Sequence, residues 1–271
     1  MRVTYRGTRK NLSNKHNDRK FNLNKANHID PDRVHLNVYW HAFIGENPQM
    51  TFEESEKLAY KQLFSSYLEQ QNAKHKARRQ YGRVRTIDQV WQNKNTKPEE
   101  VIFQIGNMDN HPDPSVLASC WKAMYKKLNE WNLAHGNHMR SLNFAAHLDE
   151  TTPHIHFRRV WVAYDREFKC NVPKQELALE QAGVPLPKPN KPKSRTNNRK
   201  ITFDKMVREW WQEICISHGL NIETEPLPTR KHKDKETYIN EEIQAKQAEL
   251  ERLTSNLELA RRLNKELSKQ R

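Results

Sequence analysis

Residues 141–162 read SLNFAAHLDETTPHIHFRRVWV, and the folding of this stretch decides the architecture. Two runs with period-two alternation, 141–148 and 154–162, flank the turn-forming DETTP. Paired as antiparallel neighbours, they divide their side chains between two faces. Leu142, Phe144, Ala146 and Leu148 share one face with Ile155, Phe157 and Trp161. Ser141, Asn143, Ala145 and His147 share the other with His154, His156 and Arg158. The first set makes a core, and the second gathers three imidazoles on the opposite side of the hairpin. Three ring nitrogens at short spacing are a donor set for a divalent metal. With three protein ligands, coordination positions stay open, as a catalytic site requires. Isolated surface histidines are the plain alternative in a chain with 13 of them. Their shared face, with Asp149 and Glu150 beside it, argues against that alternative.

Outward from the hairpin, strands and helices mix without regular βαβ alternation. Val3–Tyr5, VHLNVYWHAF (34–43) and VIFQI (101–105) read as strands. Thr51 with Glu54 is a capping-box signature that opens a helix running to about Arg79. Asp113 and Pro114 fit the N-cap and first position of a second helix, with an apolar stripe of Val116, Leu117, Cys120, Trp121, Met124, Leu128 and Trp131. Gly136 stops that helix. A third helix over 203–219 places Phe203, Met206, Val207, Trp210, Trp211 and Ile214 on one side. The Pro-punctuated, basic stretch 184–200 between them predicts irregular chain. The expectation is an α+β domain over residues 1–225, an antiparallel sheet flanked by helices. Beyond 236, Ile239, Ile243, Lys246, Leu250, Leu253, Leu257, Ala260, Asn264 and Leu267 alternate in steps of four and three. They predict a coiled-coil tail over 236–271 that pairs with itself or with a partner protein.

Composition narrows the functional class. The 47 Lys and Arg against 33 Asp and Glu leave a net charge of +14, which favours a polyanionic partner. Apolar residues make up 35%, low for one compact globule. No run approaches the roughly 20 apolar residues of a membrane span, so no membrane insertion is expected. The opening MRVTYRGTRKNL lacks a signal-type apolar core. Three widely spaced cysteines without a C-x-x-C suit a reducing cytosol rather than a disulfide framework. A cytoplasmic protein that handles nucleic acid is the expectation, with KHKARRQYGRVR (74–85) and KPNKPKSRTNNRK (188–200) as basic stretches suited to phosphates.

The run His147-Leu-Asp149-Glu150-Thr-Thr-Pro153-His154-Ile-His156 resembles the H-x-D-E-x-x-P-H-x-H metal motif of the Mob/Pre (MobV-type) family. These are plasmid mobilisation relaxases, or plasmid recombination enzymes, with an HUH-endonuclease-like fold. His16-Asn17-Asp18-Arg19 is similar to the family's N-terminal H-N-x-R, and HIDPDRVHLN (28–37) resembles the segment that follows it. The resemblance spans roughly residues 10–165, and a C-terminal coiled coil is also usual for the family. It implies a bacterial cytoplasmic enzyme that nicks one strand of plasmid DNA at an origin of transfer and stays attached to the 5′ phosphate. His147, His154 and His156 would then hold Mn²⁺ or Mg²⁺, and His16 would be the nucleophile. Glu150 would orient His16 or accept its proton, and Arg19 would grip a backbone phosphate. Asp149 is a candidate partner for a ligand imidazole, and Arg33 and Asn37 are candidates for DNA contacts. The rival nucleophile Tyr39 sits one residue past the position of the family tyrosine, here Val38. On a strand that shift is expected to turn it to the other face. A metal-dependent nuclease, a rolling-circle replication initiator and a non-catalytic DNA-binding accessory protein are the alternatives.

Overall fold

The computed structural model describes residues 1–10, 13–23, 26, 29–45, 49–225, 243–244 and 246–257. It divides into two units, Met1–Thr224 and Glu225–Arg271. Five strands of the first unit form one antiparallel sheet: β1 (Val3–Thr8), β2 (Val38–His41), β3 (Glu99–Ile105), β4 (Met139–His147) and β5 (His154–Trp161), in the order β1-β3-β5-β4-β2. The fold is α+β, as the element pattern predicts. A short hairpin of β6 (Ala163–Asp165) and β7 (Cys170–Val172) follows the sheet.

The central position of β5 explains its sequence. All eight of its residues are buried, because it has a strand on either side and helices over both faces. On one face, Val101, Phe103, Ile105, Ile155, Phe157 and Trp161 pack with α4 (Pro114–Ala134) and α6 (Arg199–Ser217). Leu117, Cys120, Trp121, Met124 and Leu128 of α4 and Phe203, Val207, Trp211 and Ile214 of α6 are buried there, as the apolar stripes predict. On the other face, Leu142, Val160 and Val162 pack with Ala59, Tyr60 and Phe64 of α2 (Phe52–Ala77) and Val90 of α3 (Ile87–Gln92). The Thr51–Glu54 capping box of α2 is closed in both directions. Two shorter helices of the unit are α1 (Asn14–Asn17) and α5 (Gln175–Gln181).

Two expectations are corrected. The strand over 34–43 shrinks to Val38–His41, because Pro31–Leu36 forms a 3-10 helix. Asp30 caps it by accepting from the Asp32 amide, and Pro31 presets its first φ. In β4 the pairing passes from Ser141↔Arg159 directly to Asn143↔Arg158, so Leu142 is an inserted residue. Leu142 therefore joins the α2 side rather than the Phe144 side. Beyond the bulge the register holds to the turn, with Ala145↔His156 and His147↔His154 directly opposed.

In the second unit, residues 243–244 and 246–257 are helical, and Ile243, Leu250, Leu253 and Leu257 are exposed. Positions 239, 260, 264 and 267 of the expected seam lie outside the described residues.

Candidate active site

The first component is a single helical turn. Ser13 caps α1 by accepting from the His16 amide at 3.1 Å, and the helix ends at Asn17. Arg19 then adopts a left-handed backbone, φ 54°, which few non-glycine residues do. From there its guanidinium meets the DE turn between β4 and β5, 130 residues later. Nε donates to Asp149 Oδ2 at 2.8 Å and Nη2 to Asp149 Oδ1 at 2.6 Å. Nη2 also reaches Glu150 Oε1 at 2.8 Å, and Nη1 donates to the His16 carbonyl at 3.0 Å. One buried cation thus fastens the His16 turn to the 149–150 turn.

That pairing corrects two expectations. The bidentate fork of Arg19 is taken by Asp149 rather than presented to a phosphate. Asp149 holds no ligand imidazole, since its oxygens accept from Arg19 and from Asn37 Nδ2 at 2.7 Å. Asn37 also accepts from the Leu148 amide at 2.7 Å, so its amide group clamps the turn from both ends. Ile29 bridges Glu150, and the Asp30 amide donates to the Asp149 carbonyl at 2.7 Å.

The hairpin delivers the second component. His147 is fully buried, and His154 and His156 are nearly so. Their rings lie 4.8 to 5.4 Å apart, centroid to centroid. The His16 ring stands 5.2 Å from that of His147 and 5.5 Å from that of His156. One nitrogen from each of the four imidazoles lies within 4.8 Å of all the others. His16 alone keeps a substantially open side chain, 29% exposed.

The proton inventory tests whether these residues fit a metal. His154 Nδ1 lies 2.9 Å from the Thr152 carbonyl and so donates to it. His156 Nδ1 faces Glu100 Oε1 at 3.2 Å, though not aligned as a hydrogen bond. With both Nδ1 atoms facing acceptors, the two Nε2 atoms carry lone pairs, yet they face each other at 2.9 Å. Two lone pairs at that separation repel unless a cation lies between them. His147 Nε2 lies 3.3 Å from the Asn17 carbonyl, which leaves the buried Nδ1 of His147 without a hydrogen-bond partner. Burial lowers His147 and His154 to about 4, so both rings are neutral at neutral pH, the form in which an imidazole can bind a metal. The donor set fits a divalent transition ion.

Glu150 connects the two components. Its Oε1 is 3.3 Å from His16 Nε2 and 3.6 Å from His147 Nδ1. Burial pushes the Glu150 carboxyl up, but its contacts with His147, His16 and Arg19 and the nearby His154 ring together hold it well below the usual carboxylate range. It is a fixed negative charge suited to orienting His16 and a poor acceptor for its proton.

The sequence reading missed Glu100, Asn17, Arg158 and Glu56. Arg158 Nε donates to Glu100 Oε2 at 2.8 Å, and Asn17 Nδ2 donates to the same oxygen at 2.7 Å. Arg158 Nη1 lies 3.3 Å from Glu56 Oε1. A signal was present: Glu99-Glu100 and Arg158-Arg159 are charged dipeptides inside apolar strands, and they pair in register.

Tyr39 requires a further correction. It pairs with Ala145, which puts it on the histidine face, while Val38 pairs with Ala146 on the other. Its direction therefore does not disqualify it. Tyr39 meets Asn37 Nδ2 at 3.5 Å, at the rim of the turn, whereas His16 is in ring contact with the cluster. Arg33 lies on the 3-10 helix, half-buried, with no side-chain ion pair or hydrogen bond among the described residues.

No protein-family profile matches the chain. No curated protein matches it in sequence. Among solved structures, the chain is similar to Mn-bound crystal structures of the MobM relaxase domain (MOBV; Mob_Pre) bound to plasmid pMV158 oriT DNA. One at pH 6.8 is 18% identical, with 89% of this chain and 98% of that chain covered and a TM-score of 0.46. Another at pH 6.5 is 16% identical, with 90% and 99% covered and a TM-score of 0.43.

Proposed function

We propose that this chain is a metal-dependent DNA relaxase that nicks one strand at a plasmid origin of transfer, serving conjugative mobilisation or plasmid recombination. The observation that carries the reading is the meeting of His16 with the histidine hairpin. A ring from residue 16 stands within 5.5 Å of two imidazoles more than 130 residues away, and it is the accessible member of the group.

In this reading His147, His154 and His156 hold a divalent ion, Mn²⁺ or Mg²⁺. When bound, it supplies Lewis-acid stabilisation of charge on the phosphate oxygens. A neutral His16 ring gives its lone pair to phosphorus, a P–N bond forms, and the P–O3′ bond breaks. The 3′ oxygen departs as the leaving group and takes a proton from solvent to become a hydroxyl, and the 5′ phosphate remains on His16. The ring gains positive charge as it attacks, and the Glu150 carboxylate 3.3 Å from Nε2 stabilises that charge and fixes the ring. The ring's remaining N–H proton leaves to solvent, through the open side of the His16 side chain. Arg19 keeps the His16 turn and the 149–150 turn in one position. Arg33 is the candidate for contact with the DNA backbone, and Asn37 acts through the turn it holds.

A second reading has its own support, because His16 belongs to the same group of four nitrogens. Four imidazoles on one ion would close the coordination sphere and make the metal structural, as in a DNA-binding accessory protein. The test uses supercoiled plasmid carrying the protein's own flanking DNA, with Mn²⁺, and compares wild type, His16→Ala and Tyr39→Phe. The relaxase reading expects relaxed product with protein on the 5′ end through an acid-labile bond. That product should vanish in His16→Ala, with Mn²⁺ affinity retained, and persist in Tyr39→Phe. Loss of nicking in Tyr39→Phe alone would transfer the nucleophile to Tyr39. Loss of Mn²⁺ binding in His16→Ala, with no nicking by wild type, would establish the structural reading. Release of a free 5′ phosphate would identify a metal-dependent nuclease.

A further inference from the structure

One cavity lies beside the His16 turn and a second shares Lys97 with it, and neither takes part in the chemistry above. One, of about 370 Å³, is lined by Ser13, Asn14 and Lys15, the residues leading into His16, and by Lys97, Trp91 and Arg158 among others. The other, of about 680 Å³, is lined by Gly7, Thr8, Arg9, Lys10, Lys94, Asn95 and Lys97. They share Lys97. Taken in order, their linings run from the approach to His16 toward the end of β1 and the segment ahead of β3.

The polar groups along this path are unbalanced. Arg9, Lys10, Lys15, Lys94 and Lys97 enter no ion pair among the described residues. The carboxylates on the path are already engaged: Glu53 with Lys57 at 2.7 Å, and Glu56 with Arg158 and with Trp91 Nε1 at 2.9 Å. The second cavity has no carboxylate in its wall. Two buried polar atoms of wall residues lack hydrogen-bond partners, Arg158 Nη2 and Arg9 Nε, and both are donors. Arg158 is 1% exposed. A wall with unpartnered donors, cations outside any ion pair and no spare carboxylate is matched by a ligand that presents acceptors and negative charge. A phosphodiester backbone has that chemistry.

We infer that this path is a binding channel for single-stranded DNA, in which Lys15, Lys97, Lys94, Arg9 and Lys10 follow the backbone on one side of the phosphate that His16 attacks. The inference rests on the relaxase reading for its substrate. It differs from the expectation drawn from sequence, which placed phosphate contacts on 74–85 and 188–200. A channel beginning beside the nucleophile holds the strand in line with it and accounts for a row of cations that enter no ion pair among the described residues.

The test measures binding of fluorescein-labelled oligothymidylate by anisotropy at several salt concentrations, in the presence of chelator so that no strand is cut. Three proteins are compared: wild type, a channel variant (Lys10→Gln, Lys94→Gln, Lys97→Gln) and a rival variant at the end of α2 (Lys76→Gln, Arg78→Gln, Arg79→Gln). The slope of log K against log salt should fall by about 0.7 for each lost single-strand phosphate contact. The channel variant should therefore lose about 2 from the wild-type slope, and the rival variant should match wild type. Thermal melts compare the folding of both variants with wild type. A channel variant with the wild-type slope overturns the inference, as does a wild type that does not bind. The outcome is independent of nicking. A protein that binds through the channel but never nicks keeps the channel and removes the proposed reaction, and nicking with an unchanged channel slope does the reverse.

Discussion

Arg158 and Arg159 are adjacent in β5, both fully buried and both paired with a glutamate from β3, yet they serve different ends. Arg159 faces α6, where its Nε meets Glu99 Oε2 at 3.0 Å and its Nη2 donates to the Tyr5 hydroxyl at 2.9 Å. Lys200 and Trp161 Nε1 also bind Glu99, at 2.6 and 3.0 Å, and the network closes on itself. Arg158 faces the histidines. Its partner Glu100 is shared with His156 and Asn17, and its Nη2 is left unpartnered. Strand alternation therefore uses one pairing, glutamate with arginine, as a core clamp on one face and as a support for the histidine cluster on the other. The first is complete without a ligand; the second has donors and lone pairs to spare.

The largest effect expected from breaking this comparison is on the closed face. Arg159→Met removes one partner of a buried network and should cost about 3–5 kcal/mol in urea unfolding. Mn²⁺ affinity of the folded fraction should not change. On the open face, Glu100→Gln should weaken Mn²⁺ binding about 10–100-fold, as removal of a carboxylate behind a ligand histidine does. Glu99→Gln should leave that affinity alone. Equal effects of the two substitutions on affinity would erase the distinction between the faces.

The faces should also separate along the pH axis. His147 and His154 are lowered by burial from 6.5 to about 4, so between those values the unfolded chain binds protons that the folded chain refuses. Metal-free stability should fall as pH is lowered from about 6.5 to about 4 and then cease to depend on these rings. Glu99 is depressed by Arg159 and Lys200 despite its burial, so its contribution is lost only as pH falls below the usual carboxylate value of 4.5. Chemical denaturation at stepped pH should show the first loss vanish in a His147→Gln/His154→Gln variant while the second remains. The smallest effect is local. Ser13→Ala removes the cap of the His16 turn, worth about 1 kcal/mol in typical helices. It should slow nicking while Mn²⁺ affinity stays unchanged.

The histidine face was legible because alternation is a local rule and the register between Ala145 and His154 has no interruption. The Leu142 bulge was not legible, since an inserted residue leaves the polar–apolar pattern nearly intact and declares itself only through its neighbours. Tyr39 was placed on the wrong face because its direction was judged by counting from a family position. Its pairing with Ala145 is what sets it. The Arg19–Asp149 lock joins residues 130 positions apart, and nothing in either segment names the other. The Glu100–Arg158 pair was within reach, because two adjacent acids and two adjacent arginines inside apolar strands need each other when buried.

The most direct test of the account is calorimetric titration of Mn²⁺ into wild type and into His147→Gln, His154→Gln and His156→Gln, with circular dichroism to verify folding. The account predicts one ion per wild-type chain and its loss in each of the three folded variants. Undiminished binding in those variants, or none in wild type, would contradict it.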